Sequence, residues 1–273
     1  MHGWIYVHHL NPILVQVGPL RIGWYGVMYA VSFLAGYVLL LRDARQGRVP
    51  LEEAAVPNLV TYLILGVVVG GRLGWVLFYG GMDYVREPWR ILETWNGGMS
   101  FHGGLIGVVL VLALYGWRHH IPLLELGDAV VLYVPVGLFF GRIGNFINGE
   151  LYGKPTDGSW GVVFPGDRLQ LPRHPSELYE AALEGVVMFL ALLGVRRWVQ
   201  RPGVRMAVFV VLYGLARTAV EFVRLPDADI GYLAWGFLTM GQVLSAPMWL
   251  GGLLWLAWLA THPAQPTIAA RQR

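Results

Sequence analysis

Seven long runs of apolar positions, separated by short polar stretches, organise this chain. They lie near 22–41, 55–79, 98–117, 123–145, 177–195, 206–222 and 236–259. Each reaches the roughly 17–25 residues that an α-helix needs to cross the hydrocarbon of a bilayer. The pattern predicts an all-α, polytopic integral membrane protein, with seven transmembrane helices in one membrane domain over residues 1–273. The fourth and fifth runs are separated by a stretch rich in Gly, Pro and charge that includes KPTDGSWGVVFPGDRLQLPRHP. It is too polar to span and long enough for a small extramembrane head over about 146–176. GVVVGGRLGW closes the second run and GLFFGRIGN the fourth. Their shared Gly-Arg-aliphatic-Gly is either the trace of a duplication or what two Arg-bearing helices need in order to pack.

Composition points to lipid as the solvent. Of 273 residues, 56% are hydrophobic and 14% charged, and the mean hydropathy is +0.52. A soluble domain carries about 25% charged residues. The 36 glycines suit helices that approach closely through small residues, and 12 Trp with 13 Tyr suit interfacial belts. Charge also orients the bundle. One set of loops holds Arg42, Arg45, Arg48, Arg118, Arg196, Arg197, Arg201, Arg205, Arg271 and Arg273. The other holds Arg21, Arg86, Arg90, Lys154, Arg168, Arg173 and Arg224, three of them in the long loop, which counts little in the positive-inside rule. The first set is expected inside, which places the N-terminus and head outside and the C-terminus inside. MHGWIYVHHLNPILVQ lacks the charged n-region of a cleavable signal peptide, so the first run is expected to remain as an anchor. The pI of 9.2 comes without a basic stripe, so nucleic acid is not an expected partner. With no cysteine there is no disulfide, no thiolate metal site and no cysteine nucleophile.

Charged residues inside a membrane are costly and usually functional. Arg72, Arg142 and Arg217 fall in the second, fourth and sixth runs, which all lead outward, within roughly 10 Å of the outer end at about 1.5 Å per residue. His102 and Tyr25 open the third and first runs at that same end. Five polar residues from five helices are thus expected at one depth. Guanidinium groups donate paired hydrogen bonds and stay charged, which suits a phospholipid headgroup. Each arginine also has a structural reading. Arg72 can snorkel, and Arg217 has Glu221 one turn on, an i,i+4 pair. Arg142 shares GRIGNFINGELYG with Asn145, Asn148 and Glu150. Glu180 and Glu184 are candidate partners for the buried arginines, and Glu177 reads as a charge favoured by the helix dipole.

His102 sits among Gly97, Gly98, Gly103 and Gly104, which allow close approach of a ligand or a backbone. Imidazole at a wet membrane edge suits a general base, and a structural histidine is the competing reading. His174 opens the fifth run, with Pro175 suited to a first turn. His2, His8, His9, His119 and His120 read as terminal or loop residues. Neither HExxH nor GxSxG occurs, and a paired-carboxylate metal motif is missing. No metal, no cofactor and no protein nucleophile are therefore expected.

GRIGNFINGELYG closely resembles the signature of prolipoprotein diacylglyceryl transferases, bacterial inner-membrane enzymes that begin lipoprotein maturation. MSFHGGLIG, GGRLGWVLFY, RHPSELYEA, YGLARTAVEFVRLPD and LTMGQVLSAPM resemble further segments of that family, in its order. The resemblance implies seven helices, a periplasmic N-terminus, a cytoplasmic C-terminus and a small periplasmic head after the fourth helix. It also implies transfer of a diacylglyceryl group from phosphatidylglycerol to the lipobox cysteine thiol of a prolipoprotein signal peptide. The product is a thioether, and glycerol 1-phosphate leaves. The partners are then phosphatidylglycerol, prolipoprotein signal peptides and the bilayer, and the missing cysteine fits a nucleophile supplied by the substrate. On this reading His102, Arg142 and Arg217 are catalytic, and Tyr25, Arg72, Asn145, Asn148, Glu150 and Glu221 bind substrate. The competing class is an anionic-lipid transporter, for which a midplane site is expected; here the charges gather near one face.

Overall fold

The computed structural model describes residues 4–18, 20–81, 83–226 and 231–262. Arg271 and Arg273 of the charge count, and His2, lie outside the described residues. The chain is mostly helical. In order come α1 (Trp24–Arg45), α2 (Val56–Tyr79), the short α3 (Asp83–Arg86), α4 (Phe101–Arg118), α5 (Leu123–Val131) and α6 (Val134–Asn148). Next is α7 (Ser176–Glu180), which runs through a π-helical segment, Ala181–Val187, into α8 (Met188–Trp198). Last come α9 (Val204–Glu221) and α10 (Met240–Thr261).

Among the described residues, five helical segments are long and apolar enough to cross a membrane, or six if α5 and α6 form one span. The fourth apolar run, expected as a single helix over 123–145, is instead bent by 40° between α5 and α6. Pro135 in the first turn of α6 explains the break: it has no N–H to give the preceding turn, and its ring crowds the carbonyl one turn back. The sixth run forms α9, which has 18 residues but carries Arg205, Arg217 and Glu221. Strands trim the ends of two runs. Ile22 and Gly23 belong to a hairpin, and α10 begins only at Met240, behind a capping box of Thr239 and Gln242.

The helical expectation did not foresee three two-stranded sheets, all built from segments of two to five residues outside the helices. β1 (Trp4–Val7) pairs in parallel with β4 (Trp160–Val163), which lies between α6 and α7. β2 (Ile13–Val17) and β3 (Leu20–Gly23) form a hairpin, as do β5 (Tyr232–Ala234) and β6 (Leu238–Thr239).

Among the described residues, contacts divide the chain into two compact units, one holding residues up to 36 with 130–262 and the other residues 37–129. In the second unit α2 lies against α4 along a seam of glycines: Gly66, Gly70 and Gly74 face Gly103 and Gly107. This is the small-xxx-small spacing that lets helix backbones touch in lipid. A methyl group on Gly74 would stand 2.7 Å from Gly103 Cα, where only backbone movement can make room. Gly74→Ala is therefore expected to destabilise the protein by about 1–3 kcal/mol, read as a lower thermal unfolding midpoint in detergent. An unchanged midpoint would mean that the seam is not tightly packed.

In the first unit, Gly185 of the π segment abuts Phe139 of α6, and Gly214 of α9 abuts the α10 backbone at Ser245 and Trp249. The segment between α6 and α7 is fastened to α6 with help from the N-terminal residues. His8, expected to be a terminal or loop residue, lies in the loop after β1 and is buried there at 4% exposure. Its Nε2 lies 2.7 Å from the Phe146 carbonyl, and its ring packs on Phe146 and Phe164.

Candidate functional site

The polar residues of α6, α7, the π segment and α9 meet in one ion-pair cluster. Arg142 projects from α6, with Nε 3.1 Å from Glu180 Oε2 and Nη2 3.3 Å from Glu184 Oε2. Arg217 projects from α9; its Nη1 donates to Glu180 Oε1 and its Nη2 stands 2.5 Å from Glu221 Oε1. Arg224, just past α9, places Nη1 3.1 Å from the same Glu180 Oε1. Glu180 thus links three arginines from three directions. Glu221 is fixed from its other side by the Thr239 hydroxyl, which donates to Oε2 at 2.6 Å.

Burial makes this arrangement stringent. The side chains of Glu180 and Glu184 have no exposure, whereas Arg142 and Arg217 keep 17% and 16%. A carboxylate sealed from water must be paired, and the three arginines supply the charge. Arg142 and Arg217 in turn are held in fixed orientations, with part of each side chain still accessible. The π segment, which carries Glu184, delivers its side chain off the regular helical rows. Such segments recur at functional sites.

The expected pairing of Arg142 and Arg217 with Glu180, Glu184 and Glu221 is present. Arg224 is an addition; it had been placed among the topology-setting loop charges. Its signal was in the sequence, because Arg217, Glu221 and Arg224 are spaced by four and three residues and share one helical face. Glu177 lies in the first turn of α7 but caps nothing. It is fully buried, and neither carboxylate oxygen has a hydrogen-bond partner among the described residues.

About two turns beyond Arg142, α6 ends at Gly149 in the left-handed region (φ 67°), the common helix stop. That turn swings Glu150 back, so that its Oε1 accepts from Asn145 Nδ2 at 2.8 Å and Asn148 Nδ2 at 3.2 Å. Tyr25 packs against α6 at Gly144, where a methyl group would meet the Tyr25 ring at 3.2 Å. Its hydroxyl stands 3.2 Å from that of Tyr29. Tyr25, Arg142, Asn145, Asn148, Glu150, Arg217 and Glu221 therefore all belong to the first unit.

Arg72 and His102 belong to the second unit. Arg72 is 5% exposed, and all five of its N–H groups point at carbonyls: Nε at Ile91, Nη1 at Gly97 and Gly98, and Nη2 at Arg90 and Glu93, from 2.5 to 3.2 Å. It clamps the loop that leads into α4. No donor remains for a ligand, so the expected substrate contact for Arg72 gives way to a structural one. At the end of that loop Ser100 caps α4 by accepting from the Gly103 N–H at 3.2 Å, and His102 follows as an exposed residue in the first turn.

The segment between α6 and α7, which carries the end of GRIGNFINGELYG, has its own buried pair. Arg173 grips Asp167 with two hydrogen bonds of 2.7 and 2.8 Å. These bonds, joined by the Leu169 and Leu171 N–H groups, hold the Asp167 carboxyl below the usual carboxylate range despite burial. A depressed folded value means stability that is present above the unfolded value of about 3.9 and lost as pH falls through the folded value. Asp167→Asn should therefore unfold more readily than the parent near neutral pH, with the gap closing in strong acid. A gap of constant size across the titration would contradict this. Among the described residues no group of three or more His, Asp or Glu is placed to hold a metal ion.

Residues 12–258 match the family described as prolipoprotein diacylglyceryl transferase. A Pseudomonas fluorescens protein is 49% identical over 269 residues, covering 96% of this chain and 98% of its own. A Nitratidesulfovibrio vulgaris protein is 52% identical over 252 residues (90% and 93%), and one from Methylococcus capsulatus is 49% identical over 255 (91% and 95%). All three carry the name phosphatidylglycerol–prolipoprotein diacylglyceryl transferase.

Proposed function

The chain belongs to the prolipoprotein diacylglyceryl transferase family, and from that premise we propose how its residues divide the work. The protein is a phosphatidylglycerol–prolipoprotein diacylglyceryl transferase, acting in the first step of lipoprotein maturation. The acceptor is the lipobox cysteine thiol of a prolipoprotein signal peptide. Sulfur forms a bond to the terminal glyceryl carbon of the diacylglyceryl group, and the bond from that carbon to the phosphate oxygen breaks. The oxygen keeps the electron pair, so glycerol 1-phosphate leaves.

The observation that carries this reading is that Arg142 and Arg217, whose side chains stay partly exposed, are held by one sealed carboxylate, Glu180. Charge grows on phosphate as the carbon–oxygen bond breaks, and preorganised donors aimed at growing charge are usually the largest contribution to catalysis. Arg142 and Arg217 supply those donors, and Arg224 completes the cage around Glu180. Asn145, Asn148 and Glu150 orient the headgroup beside Arg142, and Tyr25 donates to the lipid. A thiol has a pKa of about 8.5 and attacks as thiolate; His102 takes its proton. Arg72 serves by fixing the loop ahead of His102.

The protein lies in the bacterial inner membrane as seven spans. The pair α5–α6 makes one and α9 another, with the α9 charges turned into the protein. The N-terminus and the head face the periplasm, and the C-terminus faces the cytoplasm. The support is the arginine bias of the loops together with the family's topology. The test mixes purified protein, phosphatidylglycerol and a lipobox peptide and looks for the mass gain of one diacylglyceryl group. The expected result is a gain with cysteine and none when serine replaces it. No gain with cysteine, as a transporter would give, sinks the reading.

A further inference from the structure

A ladder of backbone pairing crosses the head from an open edge to the arginine cluster. β1 pairs with β4, Val162 of β4 pairs with Arg173, Arg173 with Pro155, and Gly153 with Arg224. The far side of the ladder thus ends on the residue whose side chain reaches Glu180. The near side ends on β1, all four residues of which are exposed.

In a parallel ladder, backbone groups of successive residues face alternate sides. The His8 N–H donates to the Val163 carbonyl at 2.9 Å, so His8 and Tyr6 face β4 while Ile5 and Val7 face outward. The Val7 carbonyl is occupied by His9 Nδ1 at 2.8 Å. Among the described residues, the Ile5 N–H, the Ile5 carbonyl and the Val7 N–H are left as an unpaired edge. The next residue, His8, is bonded to Phe146, so the edge leads directly into the segment that bears Asn145 and Asn148. Exposed edges either aggregate or receive a strand.

We infer that β1 is the docking strand for the acceptor polypeptide, which adds to it as an extended strand through residues on the head side of the acceptor cysteine. This rests on the transferase reading. Main-chain pairing reads amide groups and leaves side chains largely unread, which suits an acceptor whose one required feature is the thiol. Trp4, Ile5 and Val7 offer exposed apolar contact alongside the open amides.

The test leaves the enzyme unaltered. Lipobox peptides carrying a single backbone N-methyl group at successive positions after the cysteine are assayed with the full chain in phosphatidylglycerol-containing nanodiscs. Peptide Kd is read by fluorescence anisotropy, and KM and kcat by transfer. Strand addition predicts a two-residue period: Kd and KM rise about three- to tenfold, the cost of one hydrogen bond, at every second position, with kcat unchanged. A flat profile overturns the docking strand, including the case in which a second copy occupies the edge. Normal transfer with a flat profile overturns the docking strand alone. Periodic binding without transfer supports the docking strand and overturns the transferase reading. Val7→Pro, which removes only an outward N–H, should raise the peptide KM and leave that for phosphatidylglycerol unchanged; an unchanged peptide KM would also overturn the edge.

Discussion

Replacing Glu180 by Gln is expected to cost about 3–5 kcal/mol of stability, the scale for removing one partner of a buried ion pair. It should also reduce diacylglyceryl transfer steeply. The expectation follows from geometry: one sealed carboxylate meets Arg142, Arg217 and Arg224 at once. Glutamine keeps the volume and one acceptor oxygen but removes the charge that balances the cluster. Glu184 and Glu221 remain, yet Arg224 reaches Glu221 only at 3.9 Å. The three guanidiniums would then repel one another inside a poorly solvated site. Thermal unfolding in detergent reads the stability, and single-turnover transfer reads the chemistry. A variant with the parent's midpoint and rate would show that Glu180 does not hold the cluster.

The second large effect concerns His102. A positioned general base contributes roughly 10²–10⁴-fold, so His102→Gln should slow transfer within that range. Glutamine can hydrogen-bond but cannot take the thiol proton. Single-turnover transfer reads the effect; if His102→Gln transfers at close to the parent rate, His102 is not the base. The Ser100 cap and the Arg72 clamp leave His102 exposed at the helix start, so the substitution should leave the unfolding midpoint near that of the parent.

The long apolar runs were legible because lipid imposes one rule on every exposed position, and the helices follow them within a few residues. The break before α6 was also written in the sequence, at Pro135, but a run long enough to span hid it. The strands were not legible: β1 holds four exposed residues, and its register with β4 is set about 150 positions away. The burial of His8 was not legible for the same reason, since nothing local to it predicts packing against Phe146. At the site, charge types and helical spacing revealed Arg142, Arg217, Glu180, Glu184 and Glu221. Arg72 was the opposite case. Its five acceptors are main-chain carbonyls, which every residue possesses and no sequence pattern marks.

The most direct test of the arginine cluster is transfer by purified Arg142→Gln protein at saturating phosphatidylglycerol. Gel filtration first shows that the protein remains folded despite the unpaired Glu184. Arg142 acting on the departing phosphate predicts a single-turnover rate lower by about 10²–10³-fold, the scale for losing one preorganised donor. A folded Arg142→Gln protein that lipidates the peptide at close to the parent rate would contradict it.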